Sequence, residues 1–540
     1  METLPRPEPN RHRRGVELAV ALVLSFVAIF ALHGQMQPEV LRAETGYYQV
    51  IAHTSPRHVR TLVRGFWTQS SHGHYTPLAF TAEFFFAKHA GLRPNWWRNR
   101  QLFLGALLTF LFFGLIRAAA EQTRPPPFAA ALLLAAAATL ILVAQPLMRD
   151  LLQWPFHGLQ IGWMIFATAT GWALVRLPGS ANKGPLLWLI ALTAYGSMHV
   201  LGLGLAVVTG TVAVFSLILI GAVTGSFPEF KLQVRTLVAT LIFLAVAGSA
   251  HALAMIVLND APANAGLNSG RLPDWHQLVG LYVLFPISIV AGLVGARLDQ
   301  GLIDGILHSA WAVGAAGLLA IGLFIAVLAK TKRQTRPSPR CAALFLSLFS
   351  AVMLITIVAM ISTREIQEPN GGGLFLYLTA SRYVLPITVS WLGIGLAALM
   401  LLSPRRLVFV AVVSSLFALG AIVGHHSYPS HVLAKAAPLH GASHIQVWRN
   451  LVRIAREARA ANLPIPNIPL QSLSYFPFVD FKFLEPLLHD ELRLPPNEHD
   501  SFLDWKECRE HRLAEYLTKC PTLLPTAQLL DLDLPKPNPE

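Results

Sequence analysis

RHRRGVELAVALVLSFVAIFALHGQMQPEVLRAETGYYQVIA, residues 11–52, sets the solvent in which this chain must fold. From Gly15 to Leu32 the run is apolar apart from Glu17. At about 1.5 Å per residue it reaches roughly 27 Å, close to a bilayer core of about 30 Å. No small-residue cleavage pattern comes after it, and the chain continues HGQMQPEVLRAE. The run therefore reads as a retained first transmembrane helix rather than a removed signal peptide. Its basic flank, RPEPNRHRR, places the N-terminus in the cytoplasm by the loop-charge rule. An acid and two tyrosines just past the helix, Glu44, Tyr47 and Tyr48, then stand at the outer membrane face.

The whole composition agrees with lipid as solvent. Hydrophobic residues make up 54% of the 540 positions and charged residues 13%, with mean hydropathy +0.50. A soluble domain carries about 25% charged residues, which this chain cannot match. The formal charge is +13. Its basic residues fall in short clusters between apolar segments, the pattern of topology signals rather than of a nucleic-acid-binding face. Cys341 opens an apolar segment. Cys508 and Cys520 lie in the tail, where one disulfide and two free thiols are equally consistent with the sequence. No Cys/His spacing resembles a zinc site, and the sequence supports no metal.

Further spans are expected near 100–118, 128–147, 157–176, 234–257, 276–297, 309–329, 341–362, 383–402 and 407–424. The stretch from Leu186 to Gly221 would reach roughly 54 Å as one helix. Gly196, Ser197 and His199 interrupt it, so it reads as two spans meeting at a polar break. Thr76–Ala90 is apolar, short and charged, and lies along the interface or crosses. The clusters at 330–340 and 403–406 are cytoplasmic by the same charge rule, which puts the region after Gly424 outside. A cytoplasmic start and an external tail require an odd number of crossings. The expectation is an all-α polytopic membrane protein with about 11 to 13 transmembrane helices. Residues 1–424 form the membrane domain, with juxtamembrane helices in a first external loop at 33–98. Residues 425–540 form a small extracytoplasmic region. There, 445–460 places Ile445, Trp448, Leu451, Val452 and Ala455 on one helical face and Arg449, Arg453, Arg456 and Arg459 on the other. That helix either packs on a small domain or rests on anionic lipid.

Chemistry is sought in the first loop, which is long and holds Glu39, Glu44, Tyr47, Tyr48, His53, His72, His74 and Tyr75. The order of a first helix, ETGYYQVIA at 44–52, GHYTPL at 73–78 and a short apolar helix resembles the GT-C superfamily of polyprenyl-phosphate-dependent glycosyltransferases. Its flavour is that of bacterial protein O-mannosyltransferases and aminoarabinose transferases. LMRDLLQ (147–153), YGSMHVLGLG (195–204) and LTASRYVLPI (378–387) are similar to later segments of such proteins, as spacing more than identity. The resemblance implies that Glu44 is the catalytic base and that Tyr47, Tyr48, His72, His74 and Tyr75 line the acceptor side. It further implies that Arg149, His199 and Arg382 face the lipid phosphate of the donor. Three positions depart from the pattern: the acid is a lone Glu44, Thr76 stands where an Arg is common, and His199 where a Lys or acid is common.

Elementary chemistry runs parallel. Transfer from a lipid-phosphate sugar needs a base for the acceptor's proton and cations for the leaving phosphate. Arg271 is one more boundary cation. The partners implied are the bilayer, a lipid-linked sugar donor and an acceptor glycan, lipid or protein. The expected location is the cytoplasmic membrane, with the reaction on its outer face. Two other classes stay open: a transporter or flippase, for which His251 within a span is the main pointer, and a non-catalytic scaffold whose tail binds a partner.

Overall fold

The computed structural model describes residues 11–54, 56–68, 75–123, 127–144, 146–258, 322, 324–332, 337–365, 381–427, 440–472, 479–493 and 501–532. Among these the chain is helical nearly throughout. The first helix, α1 (Arg11–His33), leads into three short ones, α2 (Ala43–Ala52), α3 (Pro56–Thr68) and α4 (Pro77–Ala90). Then come α5 (Pro94–Ala120), α6 (Phe128–Ala144), α7 (Pro146–Gln153), α8 (Gly158–Arg176), α9 (Lys183–Val200), α10 (Gly204–Thr224) and α11 (Val234–Val257). The later long helices are α12 (Pro337–Glu365), α13 (Ser381–Met400) and α14 (Pro404–Ser427).

Among the described residues, seven segments, in α1, α5, α8, α10, α11, α12 and α14, are long and apolar enough to cross a membrane. The expected multi-pass all-α membrane fold is what the chain adopts. Their outward faces make the reason plain. Val23 and Val27 of α1, Ile242 and Val246 of α11, and Phe409, Leu416 and Leu419 of α14 are all exposed apolar side chains. Rows of this kind are costly in water and neutral in lipid. The inward faces form one core, to which Phe112 and Ile116 of α5, Trp163 and Ala167 of α8, Val214 and Phe215 of α10 and Phe345 and Phe349 of α12 contribute.

The break expected between 186 and 221 falls at Leu201–Leu203, where α9 turns back into α10. Ser197 ties the turn, its hydroxyl donating to the carbonyls of Ala194 at 2.6 Å and Gly204 at 3.1 Å. Gly204 lies so close to the Ser197–Met198 backbone that a β-carbon there would overlap it. Gly204→Ala is therefore expected to force the hairpin open and destabilise the protein by about 1–3 kcal/mol, the range for overpacking. Thermal unfolding in detergent reads this, and an unchanged midpoint would refute the close packing.

The bundle has two distinct ends. At one, Arg117 binds Glu17 at 2.5 Å and Glu121 at 3.4 Å, and Arg176 binds Glu121 at 3.1 Å, joining α1, α5 and α8. Ser338 at the start of α12 meets Gln122 at the same end. At the other end sit α2, α3 and α4. The 14 residues of α4 cover about 21 Å, and its buried residues Phe80, Phe84, Ala87 and Ala90 belong to a second core outside the bundle. It lies in the loop layer and does not cross. Tyr75 of that layer packs on His251 of α11, so α11 finishes at the loop end while α12 starts at the far end. The expected spans 276–297 and 309–329 lie outside the described residues, apart from 322 and 324–329.

The second core unites the loop with the C-terminal region. Val40, Leu41, Phe84 and Trp97 share it with Val447, Leu451, Phe481, Leu488 and Tyr516. The region folds as α15 (His440–Ala460), β1 (Ile465–Asn467), α16 (Glu485–Leu492), β2 (Phe502–Asp504), α17 (Leu513–Lys519) and α18 (Leu523–Leu529). The strands pair in parallel, Ile465 opposite Phe502. The Tyr516 hydroxyl donates to the Pro464 carbonyl at 2.6 Å, fastening α17 to the strand. Cys508 and Cys520 are buried free thiols, and burial pushes them up to about 12 and about 11.

Candidate functional site

The loop end gathers most of the side chains that the sequence marks. Arg42 precedes α2 in an extended conformation, which starts the helix at Ala43 and sets Glu44 in its first turn. Tyr48 is one turn later on the same face. Its ring lies within 6.0–6.4 Å of Phe66, Phe80 and Phe156, one from each of α3, α4 and the turn before α8. This aromatic stack holds α2 in place. The Thr45 hydroxyl accepts the Phe156 N–H at 3.2 Å and adds a polar tie.

Glu44 is half-buried. Its Oε2 is sealed from solvent and has no hydrogen-bond partner among the described residues. A carboxylate oxygen in that position gives up hydration without compensation. Burial, with the Glu83 and Glu44 carboxylates nearby, holds the Tyr48 phenol well above its ordinary value, so it stays protonated. Tyr47, on the next position, is half-exposed and meets the Tyr48 ring edge-on at 6.3 Å. The nearest loop cation in sequence, Arg42, is engaged elsewhere: it pairs with Glu39 at 2.5 Å and lies 4.1 Å above the Trp154 ring.

A buried ion pair braces this layer against the bundle. Arg100 of α5 donates from Nη1 to both carboxylate oxygens of Glu83, at 2.9 and 2.8 Å. Its Nη2 reaches the Pro155 carbonyl at 2.5 Å and Gln101 Oε1 at 3.2 Å. The guanidinium also lies over the Phe86 and Trp97 rings, at 4.7 and 4.8 Å. Gly158 permits this: a β-carbon there would come within 2.8 Å of Arg100 Nη2.

A second cluster lies where the loop meets α9 and α11. Tyr75 is 5.8 Å from the His251 ring, and His251 is 5.8 Å from His199. Tyr195, one turn before His199, packs edge-on against it at 4.6 Å. Both His199 ring nitrogens and Nε2 of His251 are buried without a hydrogen-bond partner among the described residues. An unsatisfied buried donor or acceptor costs about 1–3 kcal/mol. His251→Leu should therefore keep or raise the unfolding midpoint in detergent. A clear loss of stability would make the imidazole a structural group.

The remaining candidates separate. Arg149 in α7 is exposed and lies near His33, whose Nε2 bonds the Val143 carbonyl at 2.8 Å and whose ring meets His425 at 5.1 Å. Arg382 is on α13, but its side chain lies outside the described residues, as do His72, His74 and Arg271. His53 is held by the Gln49 carbonyl at 2.7 Å and faces Asp490 of the C-terminal region at 3.6 Å. Among the expected residues, then, Glu44 and Tyr48 come together on α2, and Tyr75 and His199 come together through His251. Tyr195 escapes the sequence reading, although its spacing of four from His199 is a helical-face signal. Arg100 escapes it because it sits at the start of a span, where a snorkelling residue is the ordinary reading. Among the described residues no three His, Cys, Asp or Glu converge as a metal site.

No family model, no curated protein and no solved structure matches this chain.

Proposed function

We propose that this protein is a membrane glycosyltransferase that moves a sugar from a polyprenyl-phosphate carrier to a glycan, lipid or protein acceptor. The observation that carries the reading is Glu44: a carboxylate with one sealed, unpartnered oxygen, on a juxtamembrane helix at one end of a lipid-facing bundle. The basic residues Lys183, Arg235, Lys332, Arg340, Arg405 and Arg406 flank spans at the opposite end. The loop-charge rule supports a cytoplasmic assignment for that end, and with it a position for Glu44 on the outer face of the cytoplasmic membrane.

In this reading Glu44 takes the proton of the acceptor hydroxyl as its oxygen bonds to the anomeric carbon. The bond from that carbon to the phosphate oxygen breaks, and the electron pair leaves with the lipid phosphate. Tyr47, Tyr48 and Tyr75 line the acceptor side. His199, joined by His251, serves the phosphate. Metal-free transfer is part of the proposal. The test is transfer of labelled sugar from polyprenyl-phosphate donors by the purified protein in nanodiscs, with Glu44→Gln alongside. Equal transfer by both would remove Glu44 and the reading with it. The buried imidazoles of His199 and His251 favour a second reading, proton-coupled transport. Substrate-dependent proton flux in proteoliposomes, without group transfer, would establish that one instead.

A further inference from the structure

One face of the C-terminal region takes no part in the proposed transfer. Helix α15 buries Val447, Leu451, Ile454, Ala455 and Ala458 in the second core. Its opposite face carries Arg449, Arg453 and Arg456, all exposed. Positions i, i+4 and i+7 share one helical stripe, so three guanidiniums stand in a row about 10 Å long. Like charges at this spacing repel one another. None of the three has an ion-pair partner among the described residues, whereas other bases of the region do: Arg512 and Lys519 bind Glu515 at 2.8 and 3.0 Å.

Exposed apolar side chains stand on the helix that packs against α15. Helix α18 packs on α15. It is tied there by Thr522, whose hydroxyl donates to Glu457 at 2.6 Å and whose N–H donates at 3.2 Å, next to Arg456. Leu524 and Leu529 of α18 are 43% and 45% exposed. Unpaired basic residues beside exposed leucines form the surface that rests at a lipid interface. Topology signalling does not account for this stripe, since it belongs to the region that shares a core with the loop-end helices, away from the span-flanking bases of the far end.

We infer that the Arg449–Arg453–Arg456 face docks the C-terminal region onto anionic lipid headgroups of the bilayer that holds the bundle. Three observations select lipid over a soluble polyanion. The face is covalently tethered to the membrane, which keeps headgroups at high effective concentration. The shared core holds the region at the loop end, with His53 3.6 Å from Asp490. The exposed leucines have use in an interface and none against a soluble polyanion. Docking would fix the ceiling over the loop layer whatever chemistry occurs beneath it, so the inference stands apart from the glycosyl-transfer reading.

The test uses the full chain with Ala460→Cys, an exposed position at the end of α15, carrying an environment-sensitive fluorophore. The native thiols are buried and are spared by the label. Two nanodiscs share brominated acyl chains and differ only in headgroup, phosphatidylcholine alone or with about one-third phosphatidylglycerol. Quenching should be at least threefold stronger in the anionic disc and should fall to the neutral level in half-molar salt. Arg449→Glu/Arg453→Glu/Arg456→Glu should abolish the difference while leaving the unfolding midpoint unchanged, since the three side chains are exposed. Equal quenching in both discs, or full quenching in the triple variant, would overturn the inference. Binding of inorganic polyphosphate through the same arginines, with no headgroup effect, would overturn it as well and name a soluble polyanion as the occupant.

Discussion

Under the proposed glycosyl-transfer reading, Glu44→Gln is expected to lower sugar transfer by about 100- to 10,000-fold, the usual contribution of a positioned general base. The amide keeps the size and one carbonyl oxygen, so the loop layer should stay folded. The structure sharpens this expectation. Oε2 is buried without a donor, so the carboxylate contributes little to stability and the amide should match or slightly exceed the wild type in thermal unfolding. Loss of transfer at constant stability is the signature of a working group. Glu44→Asp withdraws the carboxylate by one methylene and should retain a fraction of the rate, because the chemistry survives and only the position is lost. A Gln variant that unfolds early would show instead that the carboxylate braces α2.

The largest stability effect is expected at Arg100. Arg100→Met removes two bonds to Glu83, one to the Pro155 carbonyl and the cation contact with two aromatic rings. It also strands a buried carboxylate. Breaking one side of such a pair costs about 3–5 kcal/mol. The double variant Glu83→Met/Arg100→Met should recover a good part of that loss, because no charge then stays buried alone. Chemical or thermal unfolding in detergent measures both. Activity should follow stability here, since the pair ties α4 to α5 and α4 supports the ring stack around Tyr48. Equal stability of the single and double variants would mean that packing, not charge pairing, holds the joint.

Much of the architecture is readable from local pattern. The apolar run in α1 and the interruption at Gly196–His199 are visible because a helix in lipid must be apolar over a length fixed by the bilayer. The buried face of α15 is visible because its apolar spacing is helical. The short length of Thr76–Ala90 raises the question of whether it crosses, but leaves it open. Its answer comes from what it packs on: Phe80 and Phe84 belong with Val40, Leu41 and Leu488, residues distant in sequence.

The candidate site is less legible. Glu44, Tyr48, Tyr75 and His199 are marked by position and by resemblance, but no sequence rule says that Tyr75 meets His199 through a histidine of α11. Nor does any rule show that Glu83 is paired while Glu44 lacks a partner at Oε2. By itself the sequence determined the solvent of this protein, most of its described long helices and the loop where chemistry is sought, since those depend on hydropathy and local periodicity. Only the tertiary structure decided which polar atoms are satisfied and which are left over. Hydrogen bonding and desolvation depend on neighbours brought from far along the chain, and periodicity carries no information about them.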